Sequence, residues 1–455
     1  MRPSRAAPPD LPGAHSTDSP IDRALTLLLA DETEAALRWA AAIVERDPGM
    51  PSALVITCRL LLQMGRTEAA IKGFGVAVRR AIDAGNLPLA VAAIGDLRVM
   101  GVDVRGYLEQ VAAAFCSESA RLQETEAPPP PLPHYEDLQP LSSFLTGPAL
   151  TSKATQILHA ATRGYDETIG AEVPLVAPLP LFSALPAEAL ADLLGAFEMI
   201  TVPAGYVVIQ EGEEGAEAYI VARGELEVSR SNEDDEKAPI MLARLVSGAL
   251  FGEMALLSRA PRAASVVATR ASILLVATRD ALEAVAAARP EVGMELAAHC
   301  RRRMVANLAR TSPVLMAVPA EERAVLVERF ETRIFEQGEK LVDEGEEARG
   351  LHLVASGGVA VVAHEGGESV VLATLPPGET VGEVALVLRR KANADVIAVH
   401  PTVTLFLPRE RFLALVRDHP TILHGLYMSA VRRDDETMLA LDSAPAAVAD
   451  DYVLL

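Results

Sequence analysis

The sequence predicts an α+β multidomain chain, with an alanine-rich helical region followed by two small antiparallel β-rolls of jelly-roll type. Three observations carry this reading. Apolar residues recur at three- and four-residue spacing from Ile21 to about Leu122, the helical period. From Leu179 the texture changes to short β-rich runs punctuated by glycine. That second texture then occurs again at a nearly constant offset, as expected of a repeated unit.

Composition sets the outer limits. The chain has 455 residues, 50% apolar and 23% charged, enough for several domains that each bury a core. Its net charge of −21 excludes a broad nucleic-acid or anionic-membrane surface, which needs clustered Lys and Arg. A small phosphate ligand is compatible with that charge, because it answers to a local site. Cys58, Cys116 and Cys300 are far apart and odd in number, so they read as buried free thiols without a disulfide or metal spacing. Met1 to Ser19 is rich in Pro, Ala and Ser and lacks an apolar core, so no signal peptide is expected, and residues 1–20 read as a disordered tail. No apolar run of about 18 residues occurs, so the expectation is a soluble, cytoplasmic protein without a membrane partner.

Within residues 21–122, Thr33-Glu-Ala-Ala-Leu-Arg-Trp39 aligns with Thr67-Glu-Ala-Ala-Ile-Lys-Gly73 at an offset of 34. Asp47-Pro48 and Gln63-Met64-Gly65-Arg66 fall where the helices of such a unit would turn. The period resembles that of tetratricopeptide repeats, although the aromatic positions of that pattern are mostly absent. A plain alanine-rich bundle fits the same texture. The resemblance implies a protein partner docked on these helices.

Residues 123–178 read as a linker, with Pro128–Pro131 and Pro133 favouring an extended polyproline stretch. A short helix is expected at about 148–165. The first roll is placed at 179–310, the second at 311–441, and a tail at 442–455. In the first, Leu181-Phe182 opens a helical segment. The runs Tyr206–Ile209, Ala218–Val221, Leu226–Val228, Ile240–Leu242, Ser265–Ala268 and Ile273–Ala277 follow as strands. Residues 231–237 read as an acidic, solvated hairpin tip, and 280–310 as one helix. Gly205, Gly212 and Gly224 match Gly338, Gly345 and Gly357 at an offset of 133; Gly248 and Gly252 match Gly378 and Gly382 at 130. The second copy therefore has a hairpin shorter by three residues.

The chemistry concentrates in Phe251-Gly252-Glu253-Met254-Ala255-Leu256-Leu257, followed by Pro261-Arg262-Ala263-Ala264-Ser265-Val266. A glycine-led turn opens a short helix whose first amides face an anion favourably, and an arginine feeding a strand supplies a planar, permanently charged fork. A carboxylate can take a sugar hydroxyl. Taken singly, Glu253 is a helix-start carboxylate and Arg262 a surface ion-pair partner. Together at this spacing they point to a phosphate ester.

Residues 179–310 resemble a cyclic nucleotide-binding domain, the β-roll of the catabolite activator protein and of the regulatory subunits of cAMP-dependent kinase. The family cassette reads approximately F-G-E-[LIM]-A-L-x(4)-P-R-A-A-[ST]-V, and residues 251–266 satisfy it. The resemblance implies that Glu253 accepts a ribose 2′-hydroxyl and that Arg262 grips the exocyclic phosphate oxygens. Gly252, Met254, Ala255, Ala263 and Ala264 close the pocket. Ala263 lacks the hydroxyl that helps hold guanine in this family, which favours cAMP over cGMP by about 0.5–1.5 kcal/mol. No separate cofactor is implied. Met304, Val305 and Leu308 are candidates to cap the base or to be plain core, and Arg301–Arg303 reads as a solvated helix face.

The second copy keeps Gly382 and Glu383 but has Ala392 in place of the arginine, Asn393 in place of Ala263 and Asp395 in place of Ser265. Lys391 is adjacent, yet neighbours on a strand point opposite ways. An aspartate near the anion's position suggests repulsion, so this copy is expected to fold without binding a cyclic nucleotide. No nucleophile–base pattern, metal-ligand cluster or kinase loop is present, so no catalysis is expected. With few residues after the last helix, no helix-turn-helix is expected. The linker shows no kinase-inhibitory Arg-Arg-x-[Ser/Ala] segment. These features fit a regulatory or adaptor protein; a ligand-free scaffold that retains the roll is the alternative.

Overall fold

The computed structural model describes residues 19–124, 137–167, 174–232, 238–257, 260–316, 319, 326, 329–365, 368–418, 420, 426–427 and 430–431. The polyproline run, the 1–18 part of the N-terminal tail, residues 233–237 of the hairpin tip and the C-terminal tail lie outside them. The chain divides into two compact units: residues 1–253 with 264–299, and residues 254–263 with 300–455.

The first unit opens with helices α1 (Pro20–Leu29), α2 (Thr33–Arg46), α3 (Pro51–Gln63), α4 (Thr67–Asp83), α5 (Leu87–Val99) and α6 (Arg105–Phe115), each stacked on the next. Four turns share one geometry. Asp31, Gly65, Gly85 and Gly101 all sit at positive φ. The amide after each donates to the carbonyl five residues back, as in Glu32 N to Leu27 O (2.9 Å) and Arg66 N to Leu61 O (2.8 Å). This is the Schellman stop, which satisfies the orphaned carbonyls of a helix end. Asp31 and Gly65, 34 residues apart, hold corresponding places before α2 and α4. Between α2 and α3, Asp47 Oδ1 accepts from Gly49 N at 3.0 Å and turns the chain.

Helix α7 (Gly147–Glu167) lies against α2, α3 and α4 and so completes the helical layer. Thr151 and Ala154 are buried there, and Leu158 with them.

Helix α8 (Ala187–Gly195) leads into the first roll, built from β1 (Glu198–Val202), β2 (Val207–Ile209), β3 (Glu217–Arg223), β4 (Glu225–Arg230), β5 (Ile240–Val246), β6 (Leu250–Phe251), β7 (Ser265–Ala268) and β8 (Ser272–Thr278). Its two four-stranded sheets run β1-β8-β3-β6 and β2-β7-β4-β5, all neighbours antiparallel. The core between them holds Tyr219, Val221, Leu226, Phe251, Val266 and Leu274. Gly224 has φ +118°, and a Cβ there would sit 2.9 Å from Ser272 Cα, so only glycine lets β3 turn into β4.

Helix α5 explains why the helical layer and this roll form one unit. Its sequence is apolar on every side, and Leu87, Ala90, Val91, Ile94 and Leu97 are all buried. Such a helix needs cover all round. It lies between α4 and the sheet strands β1, β3 and β8. Polar ties fix the same junction. Arg59 pairs with Asp96 (2.8 Å) and donates to Thr201 Oγ1 (3.3 Å). Asp22 of α1 pairs with the buried Arg223 and with Arg270 (3.2 Å).

The stretch expected as one helix at 280–310 is two: α10 (Arg279–Ala288) and α11 (Pro290–Thr311). Arg289 precedes a proline and adopts φ −131°, ψ 86°, outside the helical region. The proline ring enforces this on its predecessor and then begins the next helix at its favoured first position. The division between the two units falls within α11, after His299.

The second unit repeats the roll with β9 (Glu331–Phe335), β10 (Lys340–Val342), β11 (Gly350–Ser356), β12 (Val359–Glu365), β13 (Glu368–Leu375), β14 (Thr380–Val381), β15 (Asp395–Ala398) and β16 (Thr402–Pro408). The sheets run β9-β16-β11-β14 and β10-β15-β12-β13. Register is kept as well as order: Leu226 pairs with Ala268 in the first roll, and Val359 with Ala398 in the second. Those positions differ by the same 133 and 130 residues as the glycines.

Met304 and Leu308 are 1% and 3% exposed in the core of this second unit, with Leu351, Leu405 and Phe412. They are core residues of this unit. Arg301, expected on a solvated helix face, instead donates to Phe330 O (2.6 Å) and Thr332 Oγ1 (3.0 Å). It ties α11 to the start of β9.

Candidate functional site

In the first roll the cassette is positioned by β6, whose Phe251 pairs with Tyr219 of β3 and stacks on it with ring centroids 5.2 Å apart. The chain then turns at Gly252 (φ +75°), and Glu253 follows with 2% exposure. A helix of one turn, α9 (Met254–Leu257), begins there. After it Ala260 is buried, Arg262 half-buried, Ala263 exposed and Ala264 half-buried at the entry to β7.

Gly252, Glu253 and Ala264 belong to the first compact unit, whereas Met254, Ala255, Arg262 and Ala263 belong to the second. Within the second unit Met254 rests on the core that contains Met304, Ala385 and Leu386.

The second roll repeats the same local build. Thr380 and Val381 pair with Leu353 and His352 of β11. Gly382 has φ +87°, and a Cβ on it would lie 2.8 Å from Gly350 O. Positive φ and close backbone approach both require glycine there. Glu383 is 1% exposed and starts the helix Glu383–Val387. A cavity of about 150 Å³ opens beside it, lined in part by Thr380, Gly382, Glu383, Ala392 and Asn393.

Asp395 departs from the expectation of repulsion at this site. It does not line the cavity. Its Oδ1 accepts from Glu344 N at 2.7 Å, while Oδ2 meets Lys340 Nζ at 2.6 Å and His364 Nε2 at 2.8 Å. Ser265 does the same work in the first roll, its Oγ accepting from Glu211 N at 3.0 Å. The neighbouring contact repeats too: Glu211 Oε2 accepts from Ser231 N (2.7 Å), and Glu344 Oε2 from His364 N (3.2 Å). The position after the cassette is thus a clamp on the turn following β2 or β10. Burial raises the Asp395 carboxyl, but Lys340, the Glu344 amide and His364 outweigh it and hold it down at about 2. Its charge is spent in the clamp.

Sequence reasoning also missed His352, which occupies the place of Tyr219. It is 4% exposed, with Nδ1 3.0 Å from Thr404 Oγ1, between Phe335 and Phe406. Burial and then the Arg333 guanidinium push it down to about 3, so it is a neutral core group. Lys391 is exposed and is not part of the cavity wall. Among the described residues no group of three or more His, Cys, Asp or Glu could hold a metal ion, and no helix is long and apolar enough to cross a membrane.

The cyclic nucleotide-binding domain family model matches residues 199–289 and 332–419, one match per roll. Among curated proteins, the cAMP-dependent protein kinase regulatory subunit of Yarrowia lipolytica is 31% identical over 242 residues, covering 52% of this chain and 60% of that protein. That of Hypocrea atroviridis is 33% identical, covering 52% and 50%. The chain thus spans between half and three-fifths of the length of these relatives. Among solved structures, the regulatory domain of Toxoplasma gondii PKA with cAMP is 28% identical and covers 55% of this chain and 92% of its own, with a TM-score of 0.28. The Thermus thermophilus catabolite activator protein is 36% identical, covering 29% and 62%, with a TM-score of 0.27.

Proposed function

We propose, from the premise that the two rolls of this chain are cyclic nucleotide-binding domains, that it is a regulatory protein switched by cAMP in its first roll. The observation that carries this is the complete cassette at 251–266, set between β6 and β7 of a roll that matches the family model. Glu253 takes the ribose 2′-hydroxyl. Arg262 forms the charged fork on the exocyclic oxygens, and the amides from Gly252 to Ala255 with those at Ala263 and Ala264 complete the anion contacts. The absence of a hydroxyl at Ala263 favours adenine over guanine modestly. Ligand ordering of the cassette acts through α10 and α11 as a shift between populations, without catalysis. The helical layer is the part that docks a protein partner. The second roll, lacking the arginine at Ala392, does not respond to the cyclic nucleotide.

Calorimetry with cAMP on the wild-type chain and on Arg262→Ala tests this reading. Saturable binding to wild type and a loss of about 100-fold or more in the variant is the expected result, given the strength of a charge-assisted bidentate contact. Wild-type protein that takes up nothing at millimolar cAMP favours the ligand-free scaffold instead.

A further inference from the structure

The second roll brings together three side chains that the sequence keeps apart. His364 of β12 stands directly opposite Ser369 of β13, and Val362, on the same face of β12, stands opposite Asp395 of β15. A hydrogen-bonded chain across three strands results. Ser369 Oγ lies 3.1 Å from His364 Nδ1, and His364 Nε2 lies 2.8 Å from Asp395 Oδ2. Exposure falls along it in the order a reactive group needs: Ser369 is open to solvent, His364 is 47% exposed and Asp395 2%.

The acid fixes where the protons sit. Asp395 is ionised at neutral pH, with its carboxyl held down at about 2, so it only accepts. The nitrogen facing it therefore donates. In the neutral imidazole this leaves the lone pair of Nδ1 toward Ser369, as acceptor of the hydroxyl proton. A serine, a histidine and a buried carboxylate in this order form a nucleophile, base and orienting acid, an arrangement set by geometry and not by sequence position. The two ring nitrogens are exchanged relative to the familiar assignment, but the chemistry requires only that one donates to the acid and the other accepts from the hydroxyl. Asp395 is itself fixed, since Oδ1 takes the Glu344 amide at 2.7 Å. Lys340 shares Oδ2 at 2.6 Å, so the acid sets tautomer and ring orientation more than it adds basicity. In the first roll Ser231 and Ser265 stand at the places of His364 and Asp395, so the base is missing there.

We propose that Ser369 is an activated acyl acceptor, with His364 as its general base and Asp395 as the residue that positions the imidazole. The donor class is an activated carboxylic ester or thioester. Ser369 Oγ bonds to the carbonyl carbon as its proton passes to His364 Nδ1. The bond from that carbon to the leaving oxygen or sulfur then breaks, the leaving group keeps the electron pair, and the proton passes to it or to water. A positioned base contributes about 10²–10⁴-fold to such a step. No oxyanion donor is invoked, so the expectation is stoichiometric modification of Ser369 and not turnover. Neither Ser369 nor His364 lines the cavity beside Glu383, and the first roll takes no part.

The test incubates the full-length chain with p-nitrophenyl acetate at mildly alkaline pH and follows O-acetylation serine by serine by peptide mass mapping. Exposed Ser143 is the reference for a serine with no histidine partner among the described residues. Ser369 is expected to acetylate at least about 100-fold faster than Ser143. His364→Gln, a change at an exposed side chain, is expected to bring Ser369 within about threefold of Ser143. Ring ¹⁵N signals of neutral His364 are expected to show the proton on Nε2. Asp395→Asn, which keeps an acceptor for the Glu344 amide, is expected to shift that population toward Nδ1–H and to slow Ser369 about tenfold. Ser369 reacting no faster than Ser143, or as fast in His364→Gln as in wild type, overturns the proposal. So does a wild-type imidazole protonated on Nδ1, or an Asp395→Asn chain with both tautomer and rate unchanged.

Discussion

His352 stands where the first roll has Tyr219, and its environment makes a pH prediction with a definite sign. In the fold its imidazole is held down to about 3 by burial and Arg333, against an ordinary value near 6.5. Between those values the unfolded chain binds a proton that the folded roll does not. The second unit therefore loses stability as pH falls from about 6.5 toward 3, by up to about 1.4 kcal/mol per pH unit from this group. His352→Gln, neutral throughout, should flatten the slope of its denaturant midpoint in that range. Asp395, held down at about 2, adds a separate and lower window: its contribution is present above about pH 4 and is lost as pH falls toward 2. Asp395→Ser should cost less than Asp395→Ala, since the hydroxyl can still accept the Glu344 amide as Ser265 accepts that of Glu211, while the contribution of the charge is lost in both. Asp395→Ala leaves that half-buried amide without its acceptor and should cost about 1–3 kcal/mol in the same measurement. A preserved midpoint in Asp395→Ala would show that the clamp is unimportant.

At the scale of elements, the strands of both rolls were legible because glycine spacing repeats wherever a turn demands positive φ. Gly224 and Gly357, or Gly252 and Gly382, mark equivalent turns, and the offsets of 133 and 130 locate the shortened hairpin between β12 and β13. The cassette was legible for the same reason, since its turn, carboxylate and arginine are contiguous. What the sequence could not convey is which side chain a residue meets across the fold. Asp395 looked like a repulsive charge because its partners Lys340 and His364 lie 31 residues or more away along the chain. The helix at 147–167 looked like part of a linker because its apolar stripe does not say which helices it covers. The Schellman turns show the same limit, since Asp31 takes a glycine's place at φ 62°. A non-glycine residue there carries about 1 kcal/mol of strain. Asp31→Gly should therefore raise the denaturant midpoint of the first unit slightly, by up to about 1 kcal/mol, while Gly65→Ala should lower it by a similar amount. Opposite signs at two positions 34 residues apart would establish that the turns are one structural motif, and equal signs would refute it.

For the molecule as a whole, the consequential tie is the one between Asp22 and two arginines of the first roll. Asp22 and Arg223 are 201 residues apart, and both are less than a tenth exposed. Burial lowers the guanidinium of Arg223, and Asp22 opposes that by pairing with it, while Arg223 also donates to Ala271 O at 3.2 Å. Arg270 reaches the other carboxylate oxygen and has Glu225 as a further partner at 3.8 Å. Removing the acid alone leaves a buried cation uncompensated, which costs about 3–5 kcal/mol. Asp22→Ala should therefore lower the unfolding transition of the first unit by that order, whereas the transition of the second unit should hardly move. Removing both charges, Asp22→Ala with Arg223→Met, should recover most of the loss, because a desolvated ion pair contributes little beyond a packed apolar pair. The helical layer also covers the roll through α5, so the tie is expected to fix registry more than to hold the unit together. If the double variant were as unstable as the single one, Asp22 would matter for Arg270 or for α1 itself, and the buried pair would not be the joint between the helices and the roll.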